Sequence, residues 1–141
     1  MTASTTALIG FVLWTIALVG SVVLHRVYLT LTGRKRADQL SQALYKGPIW
    51  YERATDAHKN CLENLPLFGA VVFTAVVTGN EAIIDPLAFY FLGARLVQSS
   101  IHLIAVNHWA VMARFTAYQV QLGLLIYWSI QLLMQYFAPA L

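Results

Sequence analysis

Residues 50–68 read WYERATDAHKNCLENLPLF, a dense series of charged and amide side chains, and residues 65–78 then carry no charge. In a helix, residues three and four apart share a face, so Arg53, Asn60 and Asn64 fall on one stripe. The stretch therefore predicts one long helix with a charged first half and an apolar second half. Such a helix is unusual in a soluble protein, so the rest of the chain has to show what surrounds it.

The composition identifies those surroundings as a lipid bilayer. Apolar residues make up 59% of the 141 residues and charged residues 11%, against roughly 45–50% and 25% in soluble domains. A membrane-spanning helix needs about 20 apolar residues, because about 30 Å of hydrocarbon is crossed at about 1.5 Å per residue. The chain has room for four such helices. This predicts a single all-α integral membrane domain over residues 1–141, a four-helix bundle without a soluble module.

The apolar runs and their stop signals predict transmembrane helices over residues 7–31, 48–78, 85–106 and 109–137. The first is expected to be retained rather than cleaved, because no Lys or Arg precedes it and no A-x-A-like site follows it. Gly79 is expected to end the second helix. Asp85 is expected to cap the third helix, with a proline in its first turn.

Basic residues cluster at one side of these helices. The first loop carries Arg34, Lys35, Arg36 and Lys46, whereas the amino terminus, residues 80–85 and the carboxyl terminus carry no Lys or Arg. The positive-inside rule then predicts the first and third loops in the cytoplasm, with both termini on the opposite side. The formal net charge of +3 thus reflects topology rather than a basic stripe, and no binding to nucleic acid is expected.

Polar side chains converge at similar depth on three of the predicted helices. Beside the polar half of the second helix, the third carries Arg95, Gln98 and His102 on one face, and the fourth carries Arg114, Tyr118 and Gln121 on one face. A charged side chain near the bilayer centre costs at least about 2.5–3.5 kcal/mol, so such residues usually face protein or a watery cavity. The stripes therefore predict a polar site in the cytoplasmic half of the bundle.

Two interpretations of the stripes remain open from the residues alone. One is a set of ion pairs that hold the helices together, for example Glu63 with Arg95. The other is a binding site for an anionic ligand, because Arg, Asn, Gln and Tyr outnumber the carboxylates, and Glu63 would then accept from a ligand ammonium group.

His58 and Arg34 also have two interpretations each. His58 is either a structural hydrogen-bonding residue or a base, and Arg34 is either part of a topogenic charge block or a ligand contact. The spacing H-K-N-x-x-E and the lone Cys61 do not predict a metal site.

The motif E-R-A-x-x-A-H-x-N-x-x-E-x-x-P-x-F, formed by residues 52–68, resembles the second-helix signature of the MAPEG family, the membrane-associated proteins in eicosanoid and glutathione metabolism. The resemblance extends to Arg95 within F-L-G-A-R and to Arg114 and Tyr118 within R-x-x-x-Y. It implies a four-helix protomer in a homotrimer, with glutathione sites between neighbouring subunits that open toward the cytoplasm. Members of that family conjugate glutathione to lipophilic electrophiles, reduce lipid hydroperoxides or isomerise eicosanoid precursors.

The resemblance also implies roles for individual residues. Asn60 and Glu63 would hold the polar ends of glutathione, Arg95 would support Glu63 or the ligand, and Tyr118 would contact the tripeptide. Arg114 would be the catalytic residue, because a guanidinium beside the sulfur favours the thiolate. The lipophilic second substrate would enter from the membrane lipids. The full predicted glutathione-binding set, from the stripes and the resemblance together, is Asn60, Glu63, Arg95, Gln98, His102, Tyr118, Arg53, His58, Lys59 and Arg34.

Some residues depart from the eicosanoid-synthesising members. Asp56 stands where those members carry arginine, Lys59 lacks the bidentate fork of arginine, His102 replaces a tyrosine, and Phe115 replaces a hydroxyl residue of prostaglandin E synthase-like members. These departures favour a bacterial-type glutathione transferase or peroxidase of broad specificity over a prostaglandin synthase. The alternative is a non-catalytic membrane protein that keeps the fold and binds a lipid or another anion. A transporter is a third hypothesis, which the absence of acidic residues from the first helix disfavours.

Overall fold

The computed structural model describes residues 1–41, 45–105 and 107–137. They form four long helices, α1 (Ala3–Leu31), α2 (Ile49–Thr78), α3 (Asp85–Ile104) and α4 (His108–Phe137), with 3₁₀ turns at Ala37–Leu40 and Glu81–Ile83. All four helices are long and apolar enough to cross a membrane. The prediction of an all-helical protein with four helices of membrane-spanning length and hydropathy is confirmed.

The helix ends differ from the predicted ones by a few residues. α1 begins at Ala3 because the Oγ1 atom of Thr2 accepts the backbone N–H of Thr5 at 3.3 Å and caps the first turn. α2 ends at Thr78, and Gly79 follows in the left-handed conformation with φ +69°, as its sequence position indicates. α3 ends at Ile104 because the next residue is extended; residue 106, the predicted end, lies outside the described residues.

Asp85 does not cap its own helix, contrary to the sequence prediction. It is the first residue of α3, and Ile84 occupies the N-cap position. The Oδ1 atom of Asp85 instead accepts the backbone N–H of Ser4 at 2.8 Å. A carboxylate is favourable there because the first turn of a helix carries unsatisfied N–H groups and a partial positive charge. Asp85 therefore joins the start of α1 to the start of α3.

The centre of the four-helix bundle is formed by α2 and α3. α2 contacts the three other helices, and α3 contacts both α1 and α4. Each helix contributes one fully buried aromatic ring to a common layer, which consists of Phe11, Phe68, Phe91 and Trp128. The rings of Phe68 and Phe91 stack with centroids 4.2 Å apart, and both lie within 6.5 Å of Phe11 and of Trp128. This aromatic layer ties the four helices together by dispersion contacts.

The charged half of α2 is amphipathic. Its buried residues recur three and four positions apart and face the bundle: Ala54, Ala57, Cys61, Asn64 and Phe68. The small side chains in this stripe allow the neighbouring helices to approach closely. The side chains of Glu52, Asp56, Lys59 and Glu63 are exposed in the protomer. The charges of α2 therefore lie at the surface of the bundle, where a ligand or water can reach them.

Large apolar side chains cover the outer faces of the helices. Leu13, Phe73, Phe89 and Ile130, one on each helix, are all more than half exposed in the protomer. Soluble proteins rarely expose continuous apolar surface, whereas a membrane protein places it against lipid tails. The exposed apolar surface thus agrees with the multi-pass membrane protein predicted from the composition.

Candidate functional site

A polar cleft of about 320 Å³ lies where α2, α3 and α4 meet. It is lined by Asn60 and Glu63 from α2, Gln98 and His102 from α3, and Val111, Arg114, Phe115 and Tyr118 from α4. The three polar stripes of the sequence therefore converge on one cavity. The predicted residues that it brings together are Asn60, Glu63, Gln98, His102, Arg114 and Tyr118.

The short connection between α3 and α4 explains this convergence. Residues 105–107 join the two helices, so the last turns of α3 run antiparallel beside the first turns of α4. A hydrogen bond between Gln98 and Gln121 fixes their register. One helical turn closer to the connection, His102 on α3 comes level with Tyr118 on α4, and Arg114 lies one turn before Tyr118, nearer the start of α4. His102, Tyr118 and Arg114 therefore all line the cleft.

Arg95 lies behind the polar cleft rather than in it. Its side chain is 0% exposed, and its Nη1 atom donates to Asn60 Oδ1 at 2.8 Å and to Asn60 O at 3.4 Å. The guanidinium lies 5.2 Å from the centroid of the Phe11 ring. The sequence suggested an ion pair between Arg95 and Glu63, but the described residues contain no such pair. Arg95 instead holds Asn60, and Glu63 lines the cleft with an exposed carboxylate.

A chain of buried amides supports the α3 wall of the cleft. Gln121 Nε2 donates to Gln98 Oε1 at 2.9 Å and to Ala117 O at 2.9 Å. Asn64 Nδ2 donates to Gln121 Oε1 at 3.5 Å. Asn64 and Gln121 belong to the polar stripes, but their sequence positions do not reveal that they bind each other and Gln98. The signal that could have found them is an amide on the buried face of a membrane helix, where an unpaired amide is costly.

The remaining predicted ligand residues do not line the polar cleft. Arg53 Nη1 donates to the carbonyl oxygens of Leu103 and Ile104 at 3.2 and 3.0 Å, so it caps the carboxyl end of α3. Lys59 Nζ lies 3.6 Å from Asp56 Oδ1, with both side chains exposed.

His58 and Arg34 also lie elsewhere. His58 is half-buried on α2 and does not line the cleft. The guanidinium of Arg34, which is exposed just after α1, lies 5.4 Å from the centroid of the Tyr28 ring. A ligand in the cleft would meet either residue only by reaching beyond this protomer's own lining residues.

Asp56, where the eicosanoid-synthesising members carry arginine, does not line the polar cleft. It lies in a separate depression of about 230 Å³, lined by Tyr45, Lys46, Tyr51, Glu52, Thr55, Asp56 and Lys59. Its carboxylate therefore pairs with Lys59 and does not enter the polar cleft of the same protomer. Asp56 is therefore not among the residues that line the polar cleft.

The chemistry of the polar cleft suits an anionic ligand that has one cationic group. Arg114 supplies a permanent positive charge, Asn60, Gln98, His102 and Tyr118 supply polar hydrogen-bonding groups, and Glu63 supplies a carboxylate. Val111 and Phe115 form an apolar part of the lining. Within residues 1–41, 45–105 and 107–137, no group of three or more His, Cys, Asp or Glu side chains is placed to hold a metal ion.

Comparison with known proteins shows which family the chain belongs to. The sequence model of the MAPEG family matches residues 2–134, which is nearly the whole chain. The chain belongs to the MAPEG family. Among curated proteins it is similar to leukotriene C4 synthase of Mus musculus, with 33% identity over 82 residues, which cover 58% of this chain and 55% of the mouse protein. The chain thus matches about half the length of that curated relative.

Membership of the MAPEG family gives a general functional class. The family includes membrane-bound glutathione transferases, so glutathione is the co-substrate that the family relation suggests. The resemblance stated from residues 52–68 is confirmed at the level of the family. The reaction of this chain, its second substrate and the roles of its cleft residues are matters for proposal.

Proposed function

We propose that this MAPEG protein is a membrane-bound glutathione transferase that activates glutathione as the thiolate in the polar cleft. The thiolate would attack lipophilic electrophiles or lipid hydroperoxides that arrive through the bilayer. The observation that carries the proposal is that Arg114 shares one cavity with Asn60, Glu63, His102 and Tyr118.

Arg114 is the proposed catalytic residue. A guanidinium remains protonated at any physiological pH, so it cannot take the thiol proton and acts by its charge. A positive charge beside a thiol stabilises the thiolate, which is the nucleophilic form. The thiol proton would leave to water, a sulfur–carbon bond would form with the electrophile, and the leaving group would depart with the displaced electron pair. With a hydroperoxide, two glutathione molecules would give the disulfide, the alcohol and water.

The remaining cleft residues match the functional groups of glutathione. The tripeptide has two carboxylates and one ammonium group, and the cleft offers the NH₂ groups of Asn60 and Gln98, the Tyr118 hydroxyl and the single carboxylate of Glu63. Its volume of about 320 Å³ is at the lower end of the range of about 300–1,000 Å³ that is usual for ligand pockets. A neighbouring subunit of the proposed homotrimer would enlarge and close the site, with the open side toward the cytoplasm.

The apolar lining provides a route for the second substrate. Val111 and Phe115 are 42% and 56% exposed in the protomer, and both are in the wall that also carries Arg114. An apolar electrophile concentrates in the membrane and would approach the thiolate across these side chains. We therefore propose lipophilic small molecules rather than polar ones as the second substrate.

Turnover by the purified protein in detergent tests the proposal. Wild-type protein is expected to conjugate glutathione to an activated aryl halide or to reduce an alkyl hydroperoxide. Arg114→Ala is expected to lower kcat by about a hundredfold, in the range found when one preorganised charge-stabilising group is removed. Gln135→Ala, an exposed substitution near the far end of the same helix, serves as the control. Equal rates for Arg114→Ala and wild type would contradict the proposal.

One observation favours the non-catalytic alternative. Phe115 follows Arg114 and lines the same cleft, so an apolar ring lines this cavity at a position where prostaglandin E synthase-like members carry a hydroxyl residue. In a protein that only binds a lipid, the Arg114 guanidinium would pair with an anionic headgroup and the Phe115 ring would contact the acyl chain. Such a protein would retain lipid through purification and show no glutathione turnover in either the wild type or Arg114→Ala.

A further inference from the structure

The side-chain amides behind the polar cleft form hydrogen bonds whose direction can be determined. One side-chain amide atom of Gln121 lies 2.9 Å from the carbonyl oxygen of Ala117. A carbonyl oxygen only accepts, so this atom is the Nε2 donor. The same Nε2 atom lies 2.9 Å from the amide of Gln98. Because Nε2 only donates, it must meet the oxygen of Gln98, which settles an amide orientation that geometry alone often leaves open.

The orientation of Gln98 decides what it presents to a ligand. The oxygen and the NH₂ group of an amide point in different directions, so an oxygen held by Gln121 turns the NH₂ group away from Gln121. Gln98 lines the polar cleft, and its Nε2 atom makes no hydrogen bond within the described part of the chain. The NH₂ group of Gln98 therefore faces the cleft as a donor.

Asn60, which lines the cleft from α2, shows the same arrangement. Arg95 has only donor groups, so the Asn60 atom that it contacts at 2.8 Å is the oxygen. The Asn60 oxygen is thereby occupied from behind, and its NH₂ group is left for the cleft. The α2 and α3 sides of the cleft, where each amide is oriented by a different buried residue, thus present NH₂ donors.

Gln121 lies behind the lining of the cleft and bonds to residues on two other helices. It is 0% exposed and does not line the cleft. Its two NH₂ bonds go to Gln98 and Ala117, and its oxygen accepts from Asn64, which is 1% exposed. In a membrane bundle an apolar residue fills such a position without the cost of burying an amide. Besides joining the helices, the fully paired amide of Gln121 fixes the orientation of the Gln98 amide.

We propose that Gln121 is a positioning residue that sets the hydrogen-bond polarity of the polar cleft by holding the NH₂ group of Gln98 toward the ligand. With Asn60 held by Arg95, it makes this part of the cleft selective for an acceptor-rich group such as a carboxylate. The ligand part of this inference rests on the proposed function, whereas the direction of the amide does not.

A stability comparison tests the direction without any ligand. At pH 8, Gln98→Glu places a carboxylate where Gln121 already donates, so the bond is kept. Gln121→Glu places a carboxylate against the oxygens of Gln98 and Ala117. The contact with the Ala117 carbonyl oxygen stays repulsive, and Gln98 can relieve its own contact only by turning its NH₂ group away from the cleft. Thermal unfolding in detergent is expected to show a clearly lower midpoint for Gln121→Glu than for Gln98→Glu. The opposite order would overturn the proposal.

Binding and kinetics test the positioning role. S-hexylglutathione has both carboxylates but no thiol, so its Kd, measured by calorimetry, does not depend on thiolate formation. Gln121→Glu and Gln98→Glu are each expected to raise this Kd about tenfold. Gln121→Met removes the bond to Gln98 without adding a charge and should raise the Kd by about threefold. Gln135→Glu, at an exposed position on α4 away from the cleft, is the control and should leave the Kd unchanged. In turnover, the Gln121 variants should raise the KM for glutathione and leave kcat within about twofold.

These outcomes separate the positioning role from the proposed function. If wild type binds S-hexylglutathione and the variants shift its Kd as stated, but no protein turns over glutathione, the positioning role stands and the transferase does not. If wild type turns over glutathione and Gln121→Glu has an unchanged KM, the positioning role is overturned and the transferase stands. If wild type binds neither compound, the proposed function is contradicted, and the unfolding midpoints alone decide the direction of the Gln98 amide.

Discussion

The two halves of the bundle hold its helices together by different forces. The aromatic layer of Phe11, Phe68, Phe91 and Trp128 joins all four helices through non-directional contacts. The polar half joins three helices through hydrogen bonds with fixed direction, from Arg95 to Asn60 and from Gln121 to Gln98. Non-directional packing stabilises the fold without specifying a ligand, whereas directional bonds orient the groups that face the cleft. Stability and function are therefore expected to respond to different substitutions.

The largest expected effect is loss of the aromatic layer. Phe68→Ala removes the ring that stacks on Phe91 and is expected to cost about 3 kcal/mol or more of unfolding free energy, as for other buried aromatic truncations. Thermal unfolding in detergent measures it. Phe73→Ala, on the exposed face of the same helix, is the control and should change little. If Phe68→Ala has the same unfolding midpoint as wild type, the aromatic layer is not what stabilises the bundle.

Replacing Arg95 should affect binding more than stability. Arg95→Met is expected to raise the Kd for glutathione about tenfold, because Asn60 loses the donor that orients it and one hydrogen bond to a charged group is worth about 1.5–3 kcal/mol. The unfolding free energy should stay within about 1 kcal/mol of wild type, because apolar replacements of buried charges are often neutral. Arg95→Lys keeps a donor and should keep most of the affinity. A collapse in stability with normal affinity would make Arg95 a structural residue.

The link between α1 and α3 should have a moderate effect that is confined to stability. Asp85→Ala removes the acceptor of the Ser4 N–H and is expected to cost about 1 kcal/mol, the usual value of a helix cap. Turnover per folded protein should be unchanged, because Asp85 lies at the other end of the bundle from His102 and Arg114. Glu81→Ala, in the adjacent 3₁₀ turn, is the matched control. If Asp85→Ala and Glu81→Ala destabilise the protein equally, the bond from Ser4 to Asp85 is not the cause.

The smallest expected effect is at the exposed pair of Asp56 and Lys59. Asp56→Ala should change the unfolding free energy by less than about 0.5 kcal/mol, because exposed ion pairs contribute little. Its Kd for glutathione should stay within about twofold of wild type, because Asp56 lies outside the polar cleft. A tenfold or larger change in this Kd, in either direction, would place Asp56 in the binding site. It would indicate that Asp56 reaches the cleft of a neighbouring subunit in the proposed homotrimer.

The sequence predicts the parts of this structure that depend on periodicity. Apolar runs give the four helices, and the spacing of Arg95, Gln98 and His102, and of Arg114 and Tyr118, gives the faces that converge on the cleft. Periodicity places a residue on a face but does not choose its partner. The sequence therefore offers Glu63 as an ion-pair partner for Arg95, although the Arg95 side chain bonds to Asn60, one turn away from Glu63 along α2.

Long side chains and distant partners account for the other differences. Arg53 is on the predicted polar stripe, but its side chain reaches the open carbonyl groups at the end of α3. Asp85 has the local pattern of an N-cap, yet Ser4 is 81 residues away in sequence and supplies the N–H group that it accepts. Gln121 and Asn64 are visible in the stripes, but only the tertiary arrangement shows that Gln121 orients Gln98. Such contacts depend on helix register, which a single sequence does not specify.

The central claim is that the polar half of the bundle activates a thiol through Arg114. It is tested most directly by titrating detergent-solubilised protein with glutathione and following the thiolate absorbance, for wild type, Arg114→Lys and Arg114→Ala. The account predicts a saturable thiolate signal in wild type, a weaker one in Arg114→Lys, and none in Arg114→Ala. Full signal in Arg114→Ala, or no signal in folded wild-type protein that binds glutathione, would contradict it.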